Sequence, residues 1–394
     1  MPLVRMEDTP AWFLASSQRA SGEPELHRWV AKSTFFSIII KIILFMKKIK
    51  IYTLSDQRPD LIPIQYESIK KYIKDDFEYI VLNNAHGTNG VMFSQNNEER
   101  KQKIFEICDS LKVKCLEVLL EDEFQYFNGY LNFDKNSPNK YPNPNFACSY
   151  PIMWLWERYI TEDESISVII DSDMFFIKEI SISEMMSGYN CSFIPHYRDS
   201  MKIGYPWNGF VIVDPSNMPN PKELNWGCGR VNDVPVDVGG LGYFYLKKYN
   251  NNLNILYLTQ LGLCEDYKKP FVVTSINGCF GYDFDFDKNE IILKGEGVFD
   301  GAHIYENKIF PHENEIKDYF EKSTDMMIDM IKIIENYNFP KPTFVDLIKV
   351  ESGFSIKDSF IFHYKAASNY CSWADEIYNK KKTQSLIDIL DKWN

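Results

Sequence analysis

The chain has 394 residues, 45% apolar and 25% charged, the proportions of a soluble globular protein able to bury a substantial core. Its formal net charge of -12 and pI near 5.1 exclude a generic nucleic-acid or anionic-membrane binder, because both need a basic surface to neutralise phosphate. A local basic pocket is compatible with that balance.

The first 45 residues lack the periodicity of the rest. The stretch FFSIIIKIILF, Phe35–Phe45, is shorter than the ~20 residues of a membrane span, and Lys41 interrupts it. It also lies too deep for an ordinary secretory signal. Three readings stay open: a poorly ordered extension with a weak amphipathic helix, a weak membrane-surface anchor, or a leader ahead of a start at Met46.

From Lys47 the pattern becomes regular. KKIKIYTLS reads as a first strand, Leu61 to Lys74 as a helix, and FEYIVLNN as a second strand ending at Asn83 and Asn84. Asn97 to Leu111 is an amphipathic helix and VKCLEVL a third strand. This βαβ rhythm predicts a mostly parallel α/β sheet with helices on both faces. The Pro/Asn-rich DKNSPNKYPNPNF is a loop, Tyr150 to Ile160 a helix, and ISVII a further strand. Beyond Asp173, GYPWNG, DPSNMPNP and NWGCG read as turns among short strands, as expected of loops that build a cleft. Glu313 to Asn336 and Gln384 to Trp393 are predicted helices.

The eight cysteines (108, 115, 148, 191, 228, 264, 279 and 371) form no C-x-x-C pair and no zinc-like spacing with histidine. Free thiols in a reducing, cytoplasmic compartment are expected.

The stretch IIDSDMFF interrupts an apolar run with two charges. In an extended chain side chains alternate, so Asp171 and Asp173 point one way and Ser172 the other. Two carboxylates projected together repel each other, and a divalent cation resolves the repulsion; hard oxygen ligands suit Mn or Mg. The pair also falls at the carboxyl end of a strand, where ligands bind in open α/β sheets. The competing reading is a solvated surface turn, because D-x-D alone is common.

IIDSDMFF, after an N-terminal βαβ half opened by IYTLS, resembles the D-x-D motif of glycosyltransferases with the GT-A (Rossmann-like) fold. The resemblance covers about residues 47 to 300, with one further element, FIFHYKAASNY. It implies a glycosyltransferase domain over 46–310, preceded by the extension of 1–45. A C-terminal helical segment, 311–394, would carry a late His motif. It further implies a metal-dependent hexosyl- or pentosyltransferase that moves a sugar from a nucleoside-diphosphate sugar to a glycan or other hydroxyl acceptor. Asp171, Asp173 and His363 would hold the metal, and Lys365 would place a cation on the leaving diphosphate. Ala366 and Ala367 stand where such motifs have glycine, a departure that bears on backbone contacts to phosphate. Thr53, Leu54, Ser55 and Arg58 at the end of the first strand, with Ser172, would contact the donor. In GYPWNGFVIVDP the segment Trp207-Asn208-Gly209 resembles one that returns a strand past the cleft. Asn208 would bond a sugar hydroxyl and Trp207 offer an apolar face. Asp237, ahead of Gly239 and Gly240 that would let backbone approach a ligand, is the candidate base or donor-sugar ligand; a plain turn carboxylate is the alternative. His196 and His303 have no ligand spacing and read as bystanders.

Two rival functions remain. A nucleotidyltransferase usually carries a Gly-rich loop after strand one, which TLSDQRPD lacks. A non-catalytic carbohydrate-binding scaffold with a degenerate transferase fold would keep the same pattern. No G-x-S-x-G, G-K-[ST] or H-E-x-x-H is present.

Overall fold

Strand β1 (Ile49–Ser55) sends Ile49 and Ile51 into one apolar cluster and Tyr52 into another, the two-residue alternation of a strand buried on both faces. The same division holds for β2 (Phe77–Asn83), where Tyr79 and Val81 face the first cluster and Ile80 and Leu82 the second. The structure is a computed structural model describing residues 47–56, 58–85, 97–119, 144–198, 203–264, 271–274, 280–285, 290–293, 345–350, 359–364 and 376–393. All belong to the second of the chain's two units, Lys47–Asn394.

Between β1 and β2 runs α1 (Leu61–Tyr72), whose buried positions Leu61, Ile62, Gln65, Ser68 and Ile69 recur at helical spacing. Helix α2 (Asn97–Leu111) buries Ile104 and Cys108 in the same cluster and leads into β3 (Lys114–Glu117). On the opposite face α3 (Pro144–Leu155) passes directly into a π-helical turn, Trp156–Ile160, and packs Tyr150, Trp154 and Trp156 there. The predicted helix from Tyr150 thus begins earlier, at Pro144, a residue well suited to a first helical turn. Strand β4 (Ile166–Asp171) follows, parallel to β1, and β5 (Met174–Phe176) comes two residues later.

The remaining elements are α4 (Ile182–Met185), β6 (Cys191–Arg198), β7 (Ile203–Val213), β8 (Gly229–Val231), β9 (Val234–Val236), α5 (Gly242–Tyr249) and β10 (Ile255–Tyr257). They are followed by β11 (Thr259–Cys264), β12 (Phe271–Thr274), β13 (Phe280–Asp285), β14 (Glu290–Leu293), β15 (Val345–Lys349), β16 (Ile361–His363) and α6 (Glu376–Trp393). The main sheet has the order β10-β6-β7-β4-β1-β2-β3. It is parallel except for β7, which runs against both β4 and β6. The expected α/β class, a mostly parallel sheet flanked by helices, is the fold observed. A second, antiparallel sheet has the order β14-β13-β12-β11-β15-β16-β5. Within 311–394, expected to be helical, the described residues form the strands β15 and β16 as well as α6; the predicted helix from Glu313 to Asn336 lies outside the described residues, as do residues 1–45. No helix among the described residues is long and apolar enough to cross a membrane.

Two turn signals served other ends. GYPWNG lies inside β7 rather than in a turn, and there the pairing with β6 slips, from Phe193 opposite Val211 to Pro195 opposite Pro206. Such a bulge absorbs residues that a regular ladder disfavours. The Gly239-Gly240 pair lets the chain approach itself. Gly239 has a φ of +83°, and a Cβ there would lie 2.2 Å from the Pro206 carbonyl oxygen; one on Gly240 would lie 2.3 Å from Val236 Cβ. The close approach expected toward a ligand is therefore made to β7 and β9. Gly239→Ala combines a left-handed backbone with a backbone clash, and is expected to cost about 2 kcal/mol or more, read as a lowered urea midpoint at unchanged m-value.

Candidate metal centre and cleft

Strand β4 carries apolar side chains up to Ile170 and ends on Asp171, which is half-buried. Ser172 and Asp173 form a turn, and β5 then joins the other sheet by pairing with β16. The two carboxylates therefore do not share a direction through strand alternation, as the sequence suggested. A turn folds them toward each other instead. Its two ends are tied from α1: the Gln65 side-chain amide donates to the carbonyls of Asp171 and Met174, each at 2.8 Å. One turn further along α1, Ser68 Oγ accepts from Phe176 N at 3.2 Å.

The third group arrives from the far end of the chain. β16 pairs antiparallel with β5, His363 opposite Met174, and Tyr364 N donates to the Asp173 carbonyl at 2.8 Å. This puts His363 Nε2 3.2 Å from Asp173 Oδ1. One potential ligand atom each from Asp171, Asp173 and His363 lies within 4.8 Å of the others. Asp173 and His363 are 3% and 4% exposed, so the ring and one carboxylate form the floor of the cluster, with Asp171 nearer solvent. Metal–oxygen bonds of about 2.1 Å put octahedral neighbours about 3 Å apart and opposite ligands about 4.2 Å apart. The cluster needs little adjustment to close around one ion. Two hard carboxylates and an imidazole are also a donor set that suits Mn.

Trp207 secures the histidine. Its indole is 5.6 Å from the His363 ring and stacks on His196 at 5.2 Å with an interplanar angle of 12°. The indole also lies over Gly209, where a Cβ would come within 2.4 Å of its ring atoms. Trp207 thus contacts both imidazoles and, half-buried, packs against the cluster of Phe210. His196, read as a bystander, is the outer layer of this stack.

Across the cleft the bulge in β7 reverses the facing of Asn208. Regular alternation would place Asn208 with Phe210 and Ile212; instead its side-chain amide donates to Cys148 Sγ at 3.6 Å, on the face packed by α3. Burial pushes the Cys148 thiol well above its usual range, and the charges of Asp171 and then Asp237 push it the same way. Asp171, Asp237, Asn208 and Cys148 thus gather at one place. Asp237 also serves its turn: Oδ1 accepts from Val238 N at 2.8 Å, and its carbonyl accepts from Gly240 N at 2.8 Å.

At the end of β1, Thr53 and Ser55 are fully buried, so their side chains are turned away from a ligand, while Leu54 pairs with Asp171 in the sheet. Asn84 N donates to the Ser55 carbonyl at 2.9 Å, binding the β1 and β2 ends together. Arg58 has a different task from the expected donor contact. It is 2% exposed, forms a two-point ion pair with Asp60 at 2.9 and 2.7 Å, and reaches Thr383 Oγ1 of α6 at 2.8 Å. A guanidinium engaged this way closes the start of α1 onto the C-terminal helix. Ser172 is half-buried in the D-x-D turn. Lys365 and the residues after it in the late motif lie outside the described residues, as does His303.

No sequence family matches the chain, and no curated relative matches it. Among solved structures it is similar to an active-site mutant of LgtC (11% identity, TM-score 0.28, 52% of this chain and 66% of that one). It is also similar to the galactosyltransferase LgtC in complex with donor and acceptor sugar analogs (10%, 0.26, 52% and 66%). A third is the mannosyltransferase Ktr4p from S. cerevisiae (10%, 0.30, 67% and 76%). The likeness spans just under two thirds of the length of LgtC. At these scores it carries no argument about chemistry, which rests on the site's own geometry.

Because the indole already packs against two imidazole rings, yielding to a methyl group on Gly209 would disturb those contacts. Gly209→Ala is expected to cost about 1–3 kcal/mol through overpacking and to change the near-UV circular dichroism of the aromatic stack. An unaltered near-UV spectrum together with wild-type stability would contradict the packing assigned to Trp207.

Proposed function

We propose that the chain is a metal-dependent glycosyltransferase of the GT-A kind, moving a sugar from a nucleoside-diphosphate sugar to an acceptor hydroxyl, with Mn or Mg as the ion. The observation that carries this reading is the convergence of Asp171, Asp173 and His363 at the carboxyl end of β4, the place where open α/β sheets bind ligands. Those three side chains would hold the ion, whose chemistry when bound is to offset charge on the departing diphosphate.

The chain's own groups supply the rest. At the end of β1, Thr53 and Ser55 turn their side chains inward, so a nucleoside would be received beyond the paired part of the strand rather than by these two hydroxyls. Asn208 and Asp237 line the opposite side, next to Cys148. An amide there can orient a sugar hydroxyl, and a carboxylate can take the acceptor proton or hold the donor sugar. Fixed placement of these groups supplies rate through orientation. One observation favours a second reading, a non-catalytic carbohydrate-binding scaffold: the His363–Asp173 contact of 3.2 Å satisfies both partners without an ion.

The two readings separate on turnover. With a panel of nucleotide sugars and Mn, the cognate donor is expected to raise Tm by mass action, since ligand at 100 times its Kd adds about 2.7 kcal/mol. Metal-dependent hydrolysis of that donor is expected as well. Asp173→Asn keeps the side chain's shape and is expected to reduce the hydrolysis at least about 100-fold, with the fold retained by circular dichroism. His363→Ala should move the Mn titration of activity to higher concentration. Wild-type turnover in Asp173→Asn would refute the metal assignment; donor binding without any turnover in the wild-type protein would favour the scaffold.

A further inference from the structure

The turn that brings Asp171 and Asp173 together is held by a residue that belongs to neither strand. Gln65 lies on the inner face of α1, between Leu61 and Ile69 on successive turns, and is fully buried. Its one NH2 group donates to two carbonyls, Asp171 O and Met174 O, each at 2.8 Å, and these flank the two turn residues. Its Oε1 accepts from the Tyr79 hydroxyl at 2.8 Å. That acceptance, with two carbonyls facing Nε2, fixes which way the amide points, since the flipped amide would set oxygen against oxygen. Tyr79 is itself held, stacked on Tyr66 at 5.3 Å with an interplanar angle of 18°, and burial pushes its hydroxyl well above the usual range, so it stays a donor.

We propose that Gln65 is the positioning residue of the metal centre: its amide sets the width of the Asp171–Met174 turn and thereby the spacing of the two carboxylates. The inference rests on the metal reading given above. A single side chain that satisfies two buried carbonyls exceeds what packing alone demands of a helix face, since an apolar residue would fill the same volume. Its removal leaves both carbonyls to seek other donors, and the turn is free to open. An ion that needs three ligand atoms at fixed separations is sensitive to that opening.

The test is Mn binding by the full-length protein, read from the electron paramagnetic resonance signal of the free ion, with no substrate present. Gln65→Met keeps the volume and removes both donors. It is expected to raise the Mn dissociation constant about 10-fold or more, the range found when groups supporting metal ligands are lost. Ile69→Val, on the same face of α1, is the control for destabilisation and should leave the constant within about 2-fold, because it removes no hydrogen bond to the Asp171–Met174 turn. Tyr79→Phe keeps the ring and frees Oε1, and is expected to weaken Mn by a smaller factor. This variant keeps the inference open to refutation if Gln65→Met fails to fold. Stoichiometric Mn binding by wild type with unchanged affinity in Gln65→Met, or in Tyr79→Phe where Gln65→Met does not fold, would overturn the positioning role and leave the metal centre standing. A wild-type protein that binds no Mn at one site per chain would overturn the metal reading itself, and the role of Gln65 with it.

Discussion

The chain passes from one sheet to another within two residues, and the arrangement of the cleft depends on how that passage is held. β4 is the last parallel strand before the direction reverses at β7, and β5 begins the second sheet after Ser172 and Asp173. A turn so short has little freedom of its own, but its carbonyls still need donors away from water. Gln65 supplies them from α1, and Tyr364 N supplies one to Asp173 from beyond β16. The backbone that carries the carboxylates is therefore bonded from both flanks. The spacing of the acidic pair follows from these bonds rather than from the pleat of a strand.

Pairing of β16 with β5 explains how a histidine near the end of the chain reaches a site laid down near its middle. The register sets His363 opposite Met174, and a shift by one residue would send the imidazole to the other face of the strand. The surrounding apolar residues hold that register. Phe360 and Ile361 pack with Met174, Phe176 and Phe210 in one cluster, while Trp207 rests against the imidazole ring. The second sheet thus serves the site through β16, the neighbour of its edge strand β5, and the Arg58, Asp60 and Thr383 contacts tie α6 to the start of α1.

Much of the scaffold could be read from periodicity. The apolar spacing of Leu61, Ile62 and Ile69, the Val and Ile runs of β2 and β4, and the helix at Asn97–Leu111 are all dictated by local pattern, and the elements follow it closely. The acidic pair was legible because charge at the end of a buried run is costly without a reason. Three features were not, each for a physical cause. Gly and Pro in GYPWNG signal a turn, but a bulged strand tolerates them equally. Arg58 follows a strand end just as a ligand contact would, and only the fold shows Asp60 and Thr383 around it. Gln65 had a visible mark, a polar residue on the buried stripe of α1, yet its partners are set by the meeting of α1 with a turn more than a hundred residues on. Convergence of this sort belongs to topology, which periodicity does not encode.

The electrostatics of the cleft tie its two sides together. Burial, most of all, and the charges of Asp171 and then Asp237 hold the Cys148 thiol well above its usual range. The field is negative where the thiol sits, so the cysteine stays protonated and accepts the Asn208 amide as a neutral group. The same field lowers the cost of bringing a cation to Asp171 and raises the cost of bringing an anion there unaccompanied. An anion therefore approaches this cleft more favourably with a divalent cation than without one. The half-exposed Asp171 and the buried Asp173 divide the work accordingly. The buried Asp173 is held against His363, whereas Asp171, half-buried at the end of β4, is the carboxylate nearer solvent.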